Sequence, residues 1–545
     1  MFNTNKQYSV ETIVQDLLRH LSEKQLVAQA SEQFSSLHSN CERVEFAHRL
    51  LEGAGLFPSL LADEKCNEVS GNFRQKGNDM FKARKTREAI EFYTKGVAFA
   101  EDGSEFLALA YANRSAVLYE RGLYEECLMD IDRALKNNYP EKLRPKLLGR
   151  QNKASQLKVN QIPQSYFQPI PVIPEKQKND LIQCASDSVE IKYTEDLGRH
   201  VLATKDIAVG DVLAIEKPFC HILIDQQYVH CHECLKLCYN LIPCAKCTNA
   251  LYCSQDCRNK SNYYHKFECP IMATTKKLRM DKLKLLSMKI ATIMKNQYGN
   301  ISNWYDLNIN NVYRSDRYDE IHNLVANTEQ RAVSDLFERS SGKYTGLLES
   351  AQEERIFKEL VLLHLQTAAC NFHEISEMAE NRDGVYELEE IGAGAYSFLS
   401  MFNHCCSPNV VRHCYGPVIV VRAIQSIKKG EQCYDNYGYH HALMTRSERR
   451  SKLKKQYFFD CSCEVCECDW PLYHNLPQIE TDVAVTSADL AKLQNGDVEA
   501  AKVVLTETLP KIAAVEKLRP NRNVAELQEV VKQCLALLGN VRRSL

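Results

Sequence analysis

Residues 231–269 read CHECLKLCYNLIPCAKCTNALYCSQDCRNKSNYYHKFEC and hold eight potential zinc ligands. Their spacing is Cys231-x2-Cys234-x9-Cys244-x2-Cys247-x5-Cys253-x3-Cys257-x7-His265-x3-Cys269. Zinc takes four thiolate or imidazole ligands in a tetrahedron, and short spacers between ligands are typical of such sites. Eight ligands fill two closed sites that leave no position for water. The segment therefore predicts structural rather than catalytic zinc.

Along its whole length this spacing resembles a MYND zinc finger. The resemblance implies that the ligand pairs interleave, the first with the third and the second with the fourth. One ion is then held by Cys231, Cys234, Cys253 and Cys257, and the other by Cys244, Cys247, His265 and Cys269. Cys238 falls outside the pattern. The resemblance also implies a protein-binding module, with proline-rich transcriptional regulators or histone deacetylases as partners.

Length and charge set broad limits on the rest of the chain. Its 545 residues predict three or four domains. With 68 basic and 70 acidic side chains, the protein has no global attraction to nucleic acid. No apolar run has the length of a membrane span, and the N-terminus lacks a signal peptide's apolar core. The 23 cysteines cluster in metal spacing, which favours a reducing compartment. We expect a monomer in the nucleus and cytoplasm.

Residues 71–138 contain a helical repeat of about 34 residues, the tetratricopeptide pattern. The first copy includes Gly77 and Tyr93, and the second includes Gly122 and Tyr124. Small residues at fixed positions let paired helices cross closely while large ones fill the gap. Residues 143–158 look like the first helix of a third unit. An amphipathic helical region precedes the repeats, and a proline-containing linker follows them.

The repeats resemble tetratricopeptide domains that clamp the C-terminal carboxylates of heat-shock chaperones. Those domains use a basic residue four before an Asn, a second Asn, and a Lys/Arg pair one turn apart. The matching residues here are Arg74, Asn78, Asn113, Lys146 and Arg150. Because each pair is spaced i, i+4, its side chains share a helix face. A domain used only for packing is the alternative.

Four short motifs flank the cysteine-rich segment, and each is weak by itself. They are Leu197-Gly-Arg-His200, Asn403-His-Cys-Cys-Ser-Pro-Asn409, Gly430-Glu-Gln-Cys-Tyr-Asp-Asn-Tyr-Gly438 and Tyr457-Phe-Phe-Asp-Cys-Ser-Cys-Glu-Val-Cys466. Singly they are typical of a turn, a polar loop or a core strand. In the last motif Cys461, Cys463 and Cys466 lack a fourth ligand, which Cys406 can supply. A third structural zinc site is therefore predicted.

Together and in this order, the motifs resemble a SET methyltransferase domain interrupted by a MYND finger. This is the arrangement of the SMYD family of protein-lysine methyltransferases, in its branch with an N-terminal tetratricopeptide domain. The resemblance covers roughly residues 187–468. It implies an α+β multidomain chain whose SET part consists of small curved β-sheets with a threaded loop at the active site.

The predicted boundaries combine this resemblance with the composition of the chain. They are 1–70 (helical region), 71–158 (repeats), 159–186 (linker), 187–230 (first SET part), 231–269 (MYND finger), 270–387 (helical insert), 388–440 (SET core), 441–470 (post-SET zinc segment) and 471–545 (C-terminal helices).

The activity that the resemblance implies is methyl transfer from S-adenosylmethionine to lysine amines of histone or non-histone proteins. Tyr437 matches the catalytic tyrosine at the end of a strand. The positions that match cofactor contacts are Gly198, Arg199, Asn323, Asn403, His404, Tyr457 and Phe459. Leu197 and His200 depart from the family pattern, which leaves open a weaker cofactor contact or a shifted turn.

Two other functions are compatible with parts of the sequence. A non-catalytic adaptor would use the finger to bind transcriptional regulators and the repeats to bind chaperones. A DNA-binding zinc protein would need a basic stripe. The finger instead mixes basic residues such as Lys236 and Arg258 with Glu233, Asp256 and Glu268.

Overall fold

The computed structural model describes residues 9–159, 169–298, 315–318, 324, 351–381, 384–480, 485–539 and 541–542. The helices are α1 (Val10–Glu23), α2 (Val27–Ser35), α3 (Asn40–Gly53), α4 (Asn67–Lys82), α5 (Thr86–Phe99), α6 (Glu105–Glu120), α7 (Tyr124–Lys136), α8 (Arg144–Val159), α9 (Gln255–Glu268), α10 (Met272–Lys277), α11 (Lys282–Tyr298), α12 (Ala351–Asn371), α13 (Arg446–Tyr457), α14 (Glu464–Glu467), α15 (Ser487–Gln494), α16 (Val498–Val515) and α17 (Arg522–Gly539).

The strands are β1 (Val189–Thr194), β2 (Gly198–Ala203), β3 (Val212–Glu216), β4 (Cys220–Leu223), β5 (Ile242–Pro243), β6 (Leu251–Tyr252), β7 (Phe372–Glu380), β8 (Tyr386–Ala395), β9 (Asn403–His404), β10 (Val410–Tyr415), β11 (Val418–Ala423), β12 (Tyr434–Asp435) and β13 (Val541–Arg542). The predicted α+β class is confirmed: helices precede a β-rich region with a cysteine-rich insert, and helices follow it.

The repeat helices α4 to α8 pack in consecutive pairs around one apolar core. Gly77 shows why small residues recur there. A Cβ at this position would lie 2.6 Å from the ring of Tyr93 on the next helix. Any larger side chain would therefore force α4 and α5 apart. The first part of the predicted linker, residues 160–168, lies outside the described residues.

The β-rich region is divided among small sheets. The hydrogen-bonded orders are β1-β2, β10-β11-β3, β12-β9, β13-β7-β8-β4 and β5-β6. The central apolar core joins β1, β2, β3 and β11 to the segment before β9. β12 and β9 pair in parallel, with Tyr434 opposite Asn403 and Asp435 opposite His404. This short pairing brings two of the sequence motifs side by side.

The cysteine-rich insert packs against the repeat helices through buried polar contacts. Arg114 has no exposed side-chain surface and binds the carboxylate of Asp130 at 2.7 Å. Its Nη2 also donates to the carbonyl of Leu241, at 2.9 Å. Asp63 accepts hydrogen bonds from Thr248 and Asn249 on another side of the insert. The insert is therefore held by residues that precede it in sequence by more than a hundred positions.

The predicted helical insert, residues 270–387, is not helical to its end. Helix α12 stops at Asn371, and Phe372–Glu380 is a strand in the four-stranded sheet. Glu, Met and Ala in this segment favour a helix locally. Pairing with β8 along its whole length, and with β13 on its other edge, overrides that preference.

Across the described ranges, each helix is too short or too polar to cross a lipid bilayer.

Candidate active site

Three of the four flanking motifs meet at the end of the β9-β12 pair. The amide side chain of Asn403 donates to the carbonyl of Leu197 at 3.2 Å, which joins the first motif to the second. The backbone N–H of Tyr437 donates to Nδ1 of His404 at 3.1 Å, which joins the second to the third. Residues separated by more than two hundred positions thus form one site.

The fourth motif closes the site with aromatic rings. Phe458 ends α13 in a left-handed conformation, with φ of 63°. The reversal leaves Tyr457 and Phe459 on the side of the site. The Tyr457 ring centroid lies 4.7 Å from that of Tyr437, and Phe459 lies 6.3 Å from His404. The result is an aromatic wall around Tyr437.

Tyr437 is held by both its backbone and its hydroxyl. The hydroxyl donates to the carbonyl of Phe402 at 2.7 Å. Burial, with nearby acidic groups such as Asp435, holds the phenol pKa well above its usual value. The side chain is therefore a neutral hydrogen-bond donor at physiological pH. Gly438 follows with φ of 97°, a conformation that glycine adopts without strain.

The first motif forms the turn between β1 and β2. Gly198 has φ of 63°, and a Cβ there would meet no atom within 4 Å, so the turn is open on that side. Arg199 is buried and donates to the carbonyl of Arg317. His200 is also buried, with Nδ1 3.0 Å from the Gly198 carbonyl. Its ring bends back onto the turn. Asn323 lies outside the described residues.

Several residues that the sequence reasoning missed support this site. Glu216 is 4% exposed and accepts the backbone N–H groups of Phe398 and Leu399, both at 2.8 Å. Asn436 donates to the carbonyl of Cys405 at 3.0 Å. Arg412 forms an ion pair with Asp435 directly beside the β9-β12 pair. Asn436 and Asp435 lie within the third motif, and that position was the one sequence signal that could have identified them. Glu216 and Arg412 lie outside all four motifs, so no sequence signal pointed to them.

The structure brings the twelve predicted metal ligands into three groups of four, each with ligand atoms within 4.8 Å of one another. They are Cys231, Cys234, Cys253 and Cys257; Cys244, Cys247, His265 and Cys269; and Cys406, Cys461, Cys463 and Cys466. All of these cysteines are free thiols rather than disulfides.

The spacing within the groups suits zinc. Zn–S bonds of about 2.3 Å in a tetrahedron place sulfur atoms about 3.8 Å apart. The Cys234–Cys253 and Cys406–Cys466 sulfur pairs are 3.7 and 3.5 Å apart. The three clusters are consistent with zinc sites. Cys238 stands apart, with its thiol against Asn240 at 3.1 Å.

The third cluster directly adjoins the aromatic site. His404 Nε2 lies 3.4 Å from the sulfur of Cys406, while Nδ1 accepts the N–H of Tyr437. Burial lowers the pKa of His404 to about 4, so the ring is neutral and can accept that bond. Arg449 is fully buried, with Nε 3.1 Å from Cys406 and Nη2 3.6 Å from Cys466. Its positive charge offsets the negative charge of clustered thiolates.

Of the residues predicted for a chaperone clamp, Asn78, Asn113 and Arg150 make contacts between neighbouring repeat helices, where they define what we call the repeat groove. The amide of Asn113 donates to Asn78 at 2.8 Å, and the Tyr93 hydroxyl donates to the same oxygen at 2.9 Å. Arg150 donates to the carbonyl of Ala112 and to the Ser115 hydroxyl, both at 2.7 Å. Arg74 and Arg150 both oppose the rise that burial causes in the pKa of Tyr93, to about 12. Lys146 is exposed.

Comparisons with known proteins agree with this arrangement. A family model described as "SET domain" matches residues 198–438. Protein-lysine N-methyltransferase SMYD4 of Danio rerio is 26% identical over 503 residues, covering 74% of this chain and 66% of that protein. SMYD4 of Homo sapiens is 26% identical over 536 residues, covering 73% and 66%. Histone-lysine N-methyltransferase SMYD3 of Homo sapiens is 27% identical over 288 residues, covering 51% and 61%.

A solved structure of the SET domain of LSMT bound to lysine and AdoHcy matches with a TM-score of 0.19 and 11% identity. The match covers 67% of this chain and 86% of that one. A TM-score this low supports no conclusion about the fold or the function of this chain.

The fold, the site and the family match define a SET-domain protein that is similar to protein-lysine N-methyltransferases. Among such proteins the chain is similar to the SMYD family and is SMYD4-like, as the sequence motifs predicted. It spans about two thirds of the length of the SMYD4 proteins it matches.

Proposed function

We propose that this protein is an S-adenosylmethionine-dependent methyltransferase that acts on lysine side chains of histone or non-histone proteins. The observation that carries the proposal is the convergence of Tyr437, His404 and Tyr457 on one aromatic site. When bound, the cofactor supplies an electrophilic methyl group on a sulfonium. The residues present suit it: Gly198 leaves open space at the turn, Asn403 bonds to that turn, and the ring of Phe459 lies next to that of His404.

The chain's own residues address the difficulty of the reaction. A lysine amine has a pKa of about 10.4 in water, and only its neutral form is a nucleophile. The aromatic faces of Tyr437 and Tyr457 would desolvate the amine and so favour loss of its proton. The same faces stabilise positive charge on the methylated product. Because the phenol of Tyr437 stays neutral, it can orient the amine without competing as a nucleophile.

The test is transfer of labelled methyl groups from S-adenosylmethionine to cell proteins. We expect Tyr437→Phe to reduce transfer by about a hundredfold or more, since the aromatic wall remains but the positioning hydroxyl is lost. Tyr473→Phe is the matched control, because the hydroxyl of Tyr473 donates to Glu526 on α17, outside the site.

Cofactor binding, measured by calorimetry, separates this proposal from the adaptor alternative. Tyr437→Phe should bind S-adenosylmethionine within a few-fold of the wild type. Equal transfer by Tyr437→Phe and wild type would contradict the role of Tyr437. Absence of cofactor binding by the wild type would favour the adaptor.

We also propose that the three ligand groups hold three zinc ions with structural roles. All four ligand positions in each group come from the protein, so water is excluded from coordination. Elemental analysis should give three zinc ions per chain. Cys461→Ser should remove one of the three, whereas Cys468→Ser, at an exposed cysteine outside the groups, should remove none.

For the repeat groove we propose binding of an acidic C-terminal tail, such as that of a heat-shock chaperone. The hydrogen-bonded amides of Asn78 and Asn113, with Arg74 and Arg150 nearby, offer donors and positive charge to paired carboxylates. Lys146→Glu should weaken binding of a tail peptide at least tenfold. Lys24→Glu, a charge reversal at an exposed residue that follows α1, should not. No binding by the intact protein would reject the clamp.

For the cysteine-rich insert we propose proline-rich segments of transcriptional regulators or histone deacetylases as partners, and we place the protein in the nucleus and cytoplasm. The support is the ligand pattern, which matches a protein-binding finger. A pull-down with proline-rich peptides and fractionation of cells would test the two statements separately.

A further inference from the structure

A cavity of about 310 Å³ lies between the cysteine-rich insert and the helices that follow it. Its walls come mainly from β4 and the residues just after it, the end of α9, α10, the segment that joins α10 to α11, and the first part of α11, with His232 and Asn249 of the insert. None of the lining residues belongs to the candidate active site or to the twelve clustered ligands. The cavity is thus a separate feature of the molecule.

Most of the cavity surface is apolar. The main contributors are Ile222, Ile224, Phe267, Met272, Leu285 and Met288. Sites for small organic ligands are typically concave, largely apolar and fitted with a few polar groups that fix orientation. Flexible methionine side chains also suit an alkyl group whose shape is not rigid.

One cation is buried in this apolar wall. Lys289, on α11, is 3% exposed and lines the cavity. Its Nζ lies 3.8 Å from the centroid of the Tyr264 ring. Among the residues that the structure describes, no carboxylate lies within 4 Å of this ammonium and no acceptor hydrogen-bonds to it. A ring face compensates only part of the hydration that a buried ammonium loses.

The two neighbouring carboxylates are already engaged. Glu233 accepts the Tyr264 hydroxyl at 2.6 Å, and Glu268 lies 3.4 Å from Nε2 of His232. Asp281, on the cavity lining, is bound to Lys284. The exposed side chains of Lys276 and Arg279 also line the cavity. The lining thus carries both further cations and the carboxylates of Asp225, Glu268 and Asp281, but no anion among the described residues is in contact with Lys289.

We propose that this cavity binds a medium-chain carboxylic acid, with its carboxylate on Lys289 and its alkyl chain along the apolar wall. A water molecule occupies about 30 Å³ of the liquid, so the cavity holds roughly ten heavy atoms. That is the size of an acid with about eight carbons. The proposal is independent of methyl transfer, because the cavity shares no residue with that site.

The test uses the full chain, octanoate as the probe and octan-1-ol as its neutral match, with calorimetry as the measurement. We expect saturable binding of octanoate at one site, at least tenfold tighter than octanol. Lys289→Met should weaken octanoate binding at least tenfold and leave octanol binding unchanged. Lys277→Met, the same substitution at an exposed lysine of α10 that does not line the cavity, should bind octanoate like the wild type.

Two further measurements keep the test independent of folding defects. Leu285→Trp fills the cavity and should abolish binding of both probes while Lys289 remains. The melting temperature of unliganded Lys289→Met should equal or exceed that of the wild type, since a buried charge is removed. A lower melting temperature would mean that Lys289 is a structural residue, and it would overturn the proposal. So would absence of saturable octanoate binding, equal binding of octanol, or unchanged octanoate binding by Lys289→Met.

Discussion

At the scale of single residues, the candidate site depends on side chains that hold backbone in place. His404 links the sulfur of Cys406 on one nitrogen to the N–H of Tyr437 on the other. Tyr437 is therefore positioned by a residue that also touches the third ligand group. Arg449 sits behind the same group, buried against two of its sulfur atoms. These contacts make the third group part of the support of the site.

Arg449→Met should weaken metal retention at this group. The substitution keeps much of the apolar stem but removes the positive charge and the N–H donors that stabilise clustered thiolates. We expect one zinc ion to be lost to a chelator about ten times faster than from the wild type. Lys452→Met, at an exposed position on the same helix, is the control. Equal chelator kinetics for the three proteins would contradict a role of Arg449 in metal binding.

At the scale of elements, the sequence predicted those parts whose signals are local. Residues 189–193, 201–203, 212–216 and 417–423 are short runs rich in β-branched residues, which predict strands, and β1, β2, β3 and β11 occupy these segments. The repeat helices followed from small residues at fixed steps. The strand Phe372–Glu380 was missed because its stability comes from partners on both edges, which a local pattern does not contain.

The supporting residues of the site were unpredictable for the same reason. Glu216 ends β3, yet its carboxylate binds N–H groups at residues 398 and 399. Nothing near Glu216 in sequence distinguishes it from a surface glutamate at a strand end. The cysteine ligands could be predicted, because the ligands of one metal ion often recur at short, characteristic spacings in the sequence.

The packing of α11 against α12 predicts a pH effect on stability. His364 is fully buried, with Nε2 3.3 Å from the sulfur of Met294, and burial lowers its pKa from 6.5 to about 4. Its folded pKa lies below its unfolded pKa, so stability is full above pH 6.5 and falls as the pH drops towards 4. The loss from this group reaches about 3 kcal/mol, at 1.4 kcal/mol per pH unit.

His364→Leu removes this titration, so its unfolding free energy should fall less between pH 6.5 and 4.5 than that of the wild type. Chemical denaturation at several pH values measures the difference. His20→Leu makes the same substitution at a partly exposed histidine on α1, and its unfolding free energy should change with pH as that of the wild type does. If the unfolding free energies of wild type and His364→Leu fell equally with pH, His364 would not titrate as its burial requires.

At the scale of the whole molecule, the repeat helices and the cysteine-rich insert are joined by buried polar contacts. Arg114 and Asp130 form a fully buried ion pair that also binds the Leu241 carbonyl. Arg133 binds Asp130 and the carbonyl of Asn240. The repeat helices are thus fixed to the insert rather than tethered by a flexible connection.

Arg114→Leu should destabilise both parts together. It leaves the carboxylate of Asp130 with less compensation and the carbonyl of Leu241 without this donor, a change that costs about 3–5 kcal/mol. Hydrogen exchange should quicken in α6 and α7 and also in residues 240–252. Arg87→Leu, which removes an exposed pair with Glu91, should leave exchange in both regions unchanged. Faster exchange in the helices alone would show that the two parts are uncoupled.

The buried pair also bears on how the polypeptide is assembled during synthesis. Arg114 and Asp130 leave the ribosome well before Leu241, which is 127 residues after Arg114. The helices that carry the pair can therefore complete their packing while the cysteines are still in the exit tunnel. We expect the nascent insert to contact helices that are already packed, with the Arg114 guanidinium available to the backbone just before β5. The repeat helices would then act as an intramolecular template on which the insert folds and binds metal.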